Sequence, residues 1–406
     1  MMNNRAEILR NRVAALMQGD RIIWLVIAML AIFSVLTVYS SADVLAQRNN
    51  TYTESFLVRH VVLMMGAVVV MYIAHMVNYM QYARWSTVLI AIAIPMLIYT
   101  MFFGVNINGA SRWIRLPFVG ITFQTSDFAK LAIILYVSRT VAIMQTKKLS
   151  QLELLGPVLA TVILIAPFDL SNALVLFLTC VMQMFIGKVE LRNVFSLIML
   201  GAGLFAMLII MSEIFPAIRI DTWISRLKVF FEGGSPEDTF QLLQAKMAVA
   251  KGGFFGVGPG NGVQSYFLPH AYSDYIYCII IEEYGMIGGA TVLMLYMMLV
   301  IRTIRMVNKS PKAFGSMLAM GLTLSITIQA FAHMAVNVNL MPVTGLTLPF
   351  VSLGGTSLMF TGISLGIILS VSRQIENSSE KEKRVEANED KKENKPKTEE
   401  KKIDQV

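Results

Sequence analysis

Asp274 lies where a glycine-dense stretch gives way to an apolar run, LPHAYSDYIYCIIIEEYG, with Glu282 and Glu283 about two turns deeper. A carboxylate at a helix start can interact with the helix dipole or act as a general base on an oxygen nucleophile, and the residues alone leave both readings open. A second group comprises Asn108, Gly109, Arg112, Trp113 and Arg115. A tryptophan there suits a membrane interface, and two arginines beside it suit an anion. Asp127 and Lys130 are spaced i, i+3, so they share a helix face and can pair. Ionisable groups at membrane depth are expensive, so the two serve either chemistry or a structural ion pair. Gln329, His333 and Asn337 recur at i, i+4, i+8 and form a polar stripe suited to interhelical hydrogen bonds. The stretch 251–262, KGGFFGVGPGNG, holds too much glycine for a spanning helix and lacks the GK[ST] of a phosphate loop. Irregular backbone at a cavity mouth is the expectation there. Cys180 and Cys278 lie in apolar runs without metal-ligand spacing and read as small buried hydrophobes.

The scaffold that must position these groups is a membrane one. The 406 residues are 55% hydrophobic and only 15% charged, with mean hydropathy +0.62. A soluble domain carries about 25% charge. Apolar runs stand out at 22–41, 57–75, 88–103, 194–211, 275–301 and 314–335, of the order of length that crosses about 30 Å of hydrocarbon. The expected fold is an all-α integral membrane protein of about ten transmembrane helices, with a large extracytoplasmic loop, 215–273, between helices seven and eight. The fifth helix is the least marked, being short and interrupted by Pro157.

Charge sets the orientation. The net charge is +8, and the first 21 residues hold Arg5, Arg10, Arg12 and Arg21. Residues 1–21 read as a basic cytoplasmic end before a retained first helix, not as a signal peptide. Alternate turns collect Arg84, Lys147, Lys148, Lys188, Arg192, Arg302, Arg305, Lys309 and Lys312, which places them and both termini in the cytoplasm. The polytopic unit spans 22–373. The tail 374–406, in which acidic and basic residues nearly balance and large apolar side chains are few, reads as disordered and cytoplasmic.

Three segments carry a resemblance. NGASRWIRLPFVGITFQTSDFAKL (108–131), GGFFGVGPGNGVQSYFLPHAYSDYIYCIIIEEYGMIGG (252–289) and MPVTGLTLPFVSLGGTSL (341–358) are similar, in order and spacing, to the signature regions of the SEDS family of FtsW, RodA and SpoVE. The resemblance covers roughly 22–373 and implies a peptidoglycan glycosyltransferase of the cytoplasmic (inner) membrane that polymerises lipid II on its outer face. It maps the family's essential aspartate onto Asp274, its motif tryptophan onto Trp113, its lysine onto Lys130 and its paired glutamines onto Gln241 and Gln244. Arg112, Arg115, Asp127, His270 and Glu283 are further substrate-binding candidates within the same segments. The chain departs from the family pattern at Asp127, where a glutamate is usual, at Ser111, where an arginine is usual, and at Pro167-Phe168-Asp169-Leu170-Ser171 in place of E-P-D-x-G. The Val-Asn-Leu-Met-Pro run and the charged tail lean toward the division branch, FtsW, over the elongation branch, RodA.

The implied reaction inverts the anomeric carbon of an α-linked donor to give a β-1,4 glycan. One base on the acceptor hydroxyl suffices, and Asp274 is the candidate. The leaving undecaprenyl pyrophosphate gathers negative charge, which Arg112, Lys130 and Arg115, or a divalent Mg or Mn ion, would stabilise. The implied partners are a class B penicillin-binding protein (a transpeptidase), other division or elongation proteins, and the membrane, with no nucleic acid. Two other readings are compatible with the same residues: a lipid II flippase, whose essential charges would lie near the midplane, and a scaffold that only recruits division proteins.

Overall fold

The computed structural model describes residues 17–49, 53–107, 110–115, 122–147, 149–214, 220–268, 271–310 and 312–393. Twelve α-helices and one small sheet make up the regular elements among them. In chain order they are α1 (Arg21–Asn49), α2 (Thr53–Met76), α3 (Tyr79–Phe103), β1 (Val105–Ile107), β2 (Ala110–Arg115), β3 (Thr122–Gln124), α4 (Thr125–Met144), α5 (Gln151–Ile165), α6 (Leu170–Ile186), α7 (Leu191–Ile214), α8 (Ile220–Glu232), α9 (Pro236–Gly252), α10 (Ile276–Val307), α11 (Ala313–Asn337) and α12 (Thr356–Glu393). Six of the described helices, α1, α2, α3, α10, α11 and the apolar part of α12, are long and apolar enough to cross a membrane. Three shorter apolar helices lie at Gln151–Ile165, Leu170–Ile186 and Leu191–Met207. Helix α4 spans 20 residues and carries Asp127, Lys130 and Arg139.

The helix boundaries have local causes. Asn78 caps α3 by accepting from the Met80 amide, Ser150 caps α5 through Leu152, and Asp169 caps α6 through Asn172. Pro157 does not break α5. A proline has no amide to offer the carbonyl four residues back, and the Tyr136 hydroxyl of α4 takes that Glu153 carbonyl at 2.8 Å instead. The buried core is built on α4, α11, the first half of α10 and α12, and α12 packs along the length of α2. At one end of the bundle Arg302 grips Asp20 through two nitrogens, at 2.9 and 2.5 Å, while the Asp20 amide donates to Ser372. That contact ties the start of α1 to α10 and α12.

The opposite end is irregular, and it holds the site. A three-stranded antiparallel sheet, β1-β2-β3, fills the connection from α3 to α4, with Trp113 opposite Gln124. Asn108 and Gly109 lie outside the described residues between β1 and β2. The long connection after α7 holds α8 and α9. The stretch 253–262 is irregular as expected; it packs against α10, and its residues are not among those lining the cavity that holds Asp274. Helix α10 breaks at Gly285 (φ 68, ψ −171), which frees backbone groups on both sides. The glycine stretch satisfies them: Val257 and Gly258 amides donate to the Glu282 and Glu283 carbonyls (2.9 and 3.0 Å), and the Met286 amide donates to Gly253 (3.0 Å). A Cβ on Gly256 would collide with the Glu283 carbonyl, and one on Gly285 with the Phe254 carbonyl. Close backbone approach therefore accounts for the glycines.

The expected tail also differs. Helix α12 continues to Glu393, so 374–393 is helical; residues 394–406 lie outside the described residues. Strong helix formers dominate 380–393, and Glu380 precedes Arg384 at the stabilising i, i+4 spacing.

Candidate active site

A cavity of about 550 Å³ opens among β2, α4, α6, α8, α9, the turn before α10 and the α11–α12 connection. That volume is in the range of small-molecule sites. Its cationic wall starts from β2 and α4. Arg112 donates to Asp169 Oδ2 at 2.5 Å, and Asp169 also receives the Asn172 side-chain amide at 2.7 Å. Asn172 Oδ1 in turn accepts from Lys130 Nζ at 2.9 Å. Lys130 pairs with Asp127 Oδ1 at 2.9 Å and reaches Gln329 Oε1 at 3.3 Å. A continuous chain of charge-assisted bonds thus runs from Arg112 to Gln329. Lys130 and Asp127 are both nearly buried, so their partners are each other and, for the ammonium, the amide oxygens of Asn172 and Gln329. Asp127 Oδ2 is buried without a partner.

Asp274 lines the same cavity, together with its sequence neighbours Ser273 and Tyr275 and with Thr222, Trp223, Arg226 and Gln241 of α8 and α9. The Ser273 hydroxyl donates to Asp274 Oδ1 at 3.0 Å. Tyr275 donates its hydroxyl to Gln241 Oε1 at 3.3 Å, which leaves the Gln241 NH₂ as the group offered to the cavity. Burial, and next the Asp274 charge, push the Tyr275 phenol well above its ordinary value, so it remains a donor. Arg226 donates to the Val343 carbonyl at 3.1 Å and so fixes α8 to the α11–α12 connection. Two tryptophans, Trp113 of β2 and Trp223 of α8, also line the cavity and add apolar ring surface of the kind that packs against sugar rings.

The sequence model of the family described as cell cycle protein, FtsW/RodA/SpoVE, matches residues 20–377. The chain belongs to that family. It is 31% identical over 385 residues to a probable peptidoglycan glycosyltransferase FtsW of Trichlorobacter lovleyi, covering 90% of this chain and 96% of the relative. It is 30% identical over 362 residues to stage V sporulation protein E of Bacillus subtilis, covering 87% and 97%. Among solved structures, RodA of Thermus thermophilus superposes with a TM-score of 0.63 at 21% identity, over 87% of this chain and 97% of that one. A chain from a structure described as "Structural coordination of polymerization and crosslinking by a peptidoglycan synthase complex" gives 0.69 at 23% identity, over 87% and 98%. These two likenesses establish a shared membrane fold.

Within this FtsW/RodA/SpoVE fold, Arg112, Trp113, Asp127, Lys130, Gln241 and Asp274 all line the one cavity. Three other candidates lie outside the lining. Arg115 is exposed at the far end of β2, and Gln244 sits half-buried a turn further along α9. Glu283 is buried on α10 and accepts from the Ser40 hydroxyl of α1, so it joins helices. Its neighbour Glu282 accepts the Val263 amide at 3.0 Å and the Gln264 amide at 3.2 Å, fastening the loop that leads to Asp274. His270 lies outside the described residues. Asp169, Asn172, Trp223, Arg226 and Gln329 also line the cavity and are not among the binding candidates that the sequence offers. Asp169 carries a legible signal, an Asp directly before an apolar helical run; Trp223 and Arg226 carry none, because long loops hold such residues without constraint.

Proposed function

We propose that this protein is an inverting lipid II polymerase that extends β-1,4-linked glycan strands on the outer face of the cytoplasmic membrane, in septal synthesis during division. The observation that carries the reading is the sharing of one cavity by the Asp274 carboxylate and the Arg112 and Lys130 cations. A glycosyl transfer from a diphosphate needs those two kinds of group on opposite sides of the anomeric carbon. Asp274 takes the proton from the acceptor hydroxyl as its oxygen bonds to C1 of the donor. The bond from C1 to the diphosphate oxygen breaks, and its electron pair leaves with undecaprenyl pyrophosphate. Arg112 and Lys130 stabilise that departing charge. The proton then passes from Asp274 to water.

The same reading places all ten of the longer apolar helices across the bilayer, both termini in the cytoplasm and the cavity at the outer face. The basic turns of the sequence support this orientation. A class B penicillin-binding protein is the partner, in keeping with the naming of one structural neighbour as part of a synthase complex. A Mg or Mn ion would assist the leaving group. No cluster of three or more His, Cys, Asp or Glu side chains is present among the described residues, so the protein alone offers no cage. The ion would arrive mainly on the diphosphate oxygens and take one or two cavity carboxylates, as Mg does at phosphate sites.

The test is polymerisation. The purified protein with its transpeptidase partner and lipid II should yield glycan polymer, and Asp274→Ala should yield none while melting at the same temperature. Transport of labelled lipid II across vesicles by a protein that forms no polymer would replace the polymerase reading with the flippase one.

A further inference from the structure

The polar stripe on α11 converges on the segment that bears Asp274. In an unbroken helix the Cys278 amide would donate to the carbonyl four residues back, that of Asp274. It does not. Asn337 lies between them: its Oδ1 accepts from the Cys278 amide at 3.1 Å, and its Nδ2 donates to the Asp274 carbonyl at 3.0 Å. One side-chain amide is thus spliced into what would be the first turn of α10. Helix α10 begins only after it, at Ile276, with Tyr275 in a non-helical conformation (φ −120, ψ 17).

The amide has one workable orientation. Asn337 Nδ2 also donates to the His333 carbonyl at 2.9 Å and contacts His333 Nε2 at 3.3 Å. His333 Nδ1 lies 2.7 Å from the Leu346 carbonyl. A carbonyl only accepts, so the proton is on Nδ1, and Nε2 is left to accept from Asn337. Turning the Asn337 amide over would set its oxygen against two carbonyls and an imidazole lone pair. Neighbouring carbonyls are held in the same way: the Ser352 hydroxyl donates to Ser273 at 2.8 Å and the Leu353 amide to Tyr272 at 3.1 Å. Three consecutive carbonyls, 272 to 274, therefore each accept a bond from α11 or the connection after it. That connection is itself braced, since Phe350 adopts φ 63 and the Tyr296 hydroxyl holds the Pro349 carbonyl at 2.5 Å.

We propose that Asn337 is a positioning residue for the glycosyl transfer: it keeps the first turn of α10 open and so points the Asp274 carboxylate into the cavity. The inference rests on Asp274 being the base. Without the wedge the Cys278 amide is free to close on the Asp274 carbonyl, which would wind Asp274 into the helix and swing its side chain by a substantial part of a turn.

The experiment compares Asn337→Asp, Asn337→Leu and Asp274→Ala in the full-length protein with its partner, measuring turnover at saturating lipid II, KM and thermal midpoint. Asn337→Asp keeps the acceptor for Cys278 but has no donor for Asp274; Asn337→Leu keeps neither. Both should lose turnover about 10²-fold, the scale of a 1 Å misplacement, with KM changed less than about twofold; the midpoint of Asn337→Asp should fall as well, because its second carboxylate oxygen then faces the Asp274 and His333 carbonyls. Full turnover in a folded Asn337 variant overturns the inference. So does a rise in KM matched by a falling midpoint at unchanged turnover, or failure of both variants to fold, since either marks a merely structural role. Asp274→Ala separates the two claims: if it polymerises, the base assignment fails; if it is inactive while the Asn337 variants are fully active, only the positioning role fails.

Discussion

Replacing Lys130 by methionine removes a charge while keeping most of the side chain's volume. The ammonium bonds Asp127 at 2.9 Å, Asn172 at 2.9 Å and Gln329 at 3.3 Å. Asp127 is 5% exposed, and its second oxygen already lacks a partner. Lys130→Met therefore leaves a buried carboxylate uncompensated, which costs about 3–5 kcal/mol. Adding Asp127→Asn removes that charge. The double variant should recover most of the loss and retain a deficit of about 1–3 kcal/mol, from amide oxygens of Asn172 and Gln329 that have lost a donor. Thermal unfolding in detergent reads the stability, and polymer yield well below the midpoint reads activity. If Lys130 also faces the departing diphosphate, activity should stay about 10²–10³-fold down in the stable double variant, the usual cost of one lost charge-stabilising donor. Recovery of rate together with stability would show that Lys130 only holds helices together. A single variant as stable as the parent would refute the ion-pair reasoning itself.

Asp169→Asn keeps the cap of α6, since Asn is as good an N-cap as Asp, but it releases Arg112 from its counter-charge. KM for lipid II should fall by roughly fivefold, about 1 kcal/mol at a partly exposed pair; a higher KM would mean that Asp169 itself touches substrate. Gly256→Ala forces a Cβ into the Glu283 carbonyl at a positive φ and should destabilise by about 3 kcal/mol or more, read as a lowered midpoint. An unchanged midpoint would show that the glycine stretch does not brace the α10 break. Chelation with EDTA should abolish polymer, and added Mg or Mn should restore it without altering the melting curve; polymer formed in excess chelator would remove the metal from the mechanism.

Much of the fold was legible because a bilayer restricts the choices. Segments of the right length and apolarity read directly as helices, and α1, α2, α3, α10 and α11 fall where the apolar runs stand. Helix α5 was harder to read, because its stability against Pro157 comes from Tyr136, a residue on another helix whose contribution no local pattern records. The tail is a case of another kind. A charged composition argues against a packed core, which reads as disorder, while Glu and Lys also favour an unpacked helix such as the one that runs to Glu393.

The site divides along the same line. Groups whose position follows from local spacing were found: Asp127 with Lys130 by i, i+3, and the Gln329, His333, Asn337 stripe by i+4. What spacing could not tell was purpose. The stripe reads as helix-to-helix hydrogen bonding, and it is that, but two of its bonds end on Asp274 and Cys278, more than fifty residues away in sequence. The glycine stretch shows the converse. Its composition announced irregular backbone but not its target, which is the break at Gly285, where α10 leaves carbonyls and amides open. In both cases α10 is interrupted, once at its start beside the cavity and once at Gly285, and a distant segment supplies the missing hydrogen bonds. Within a bilayer such interruptions persist only when every freed backbone group finds a protein partner. The residues that supply those partners are therefore under as much physical constraint as the carboxylate they position, although their side chains never reach the cavity.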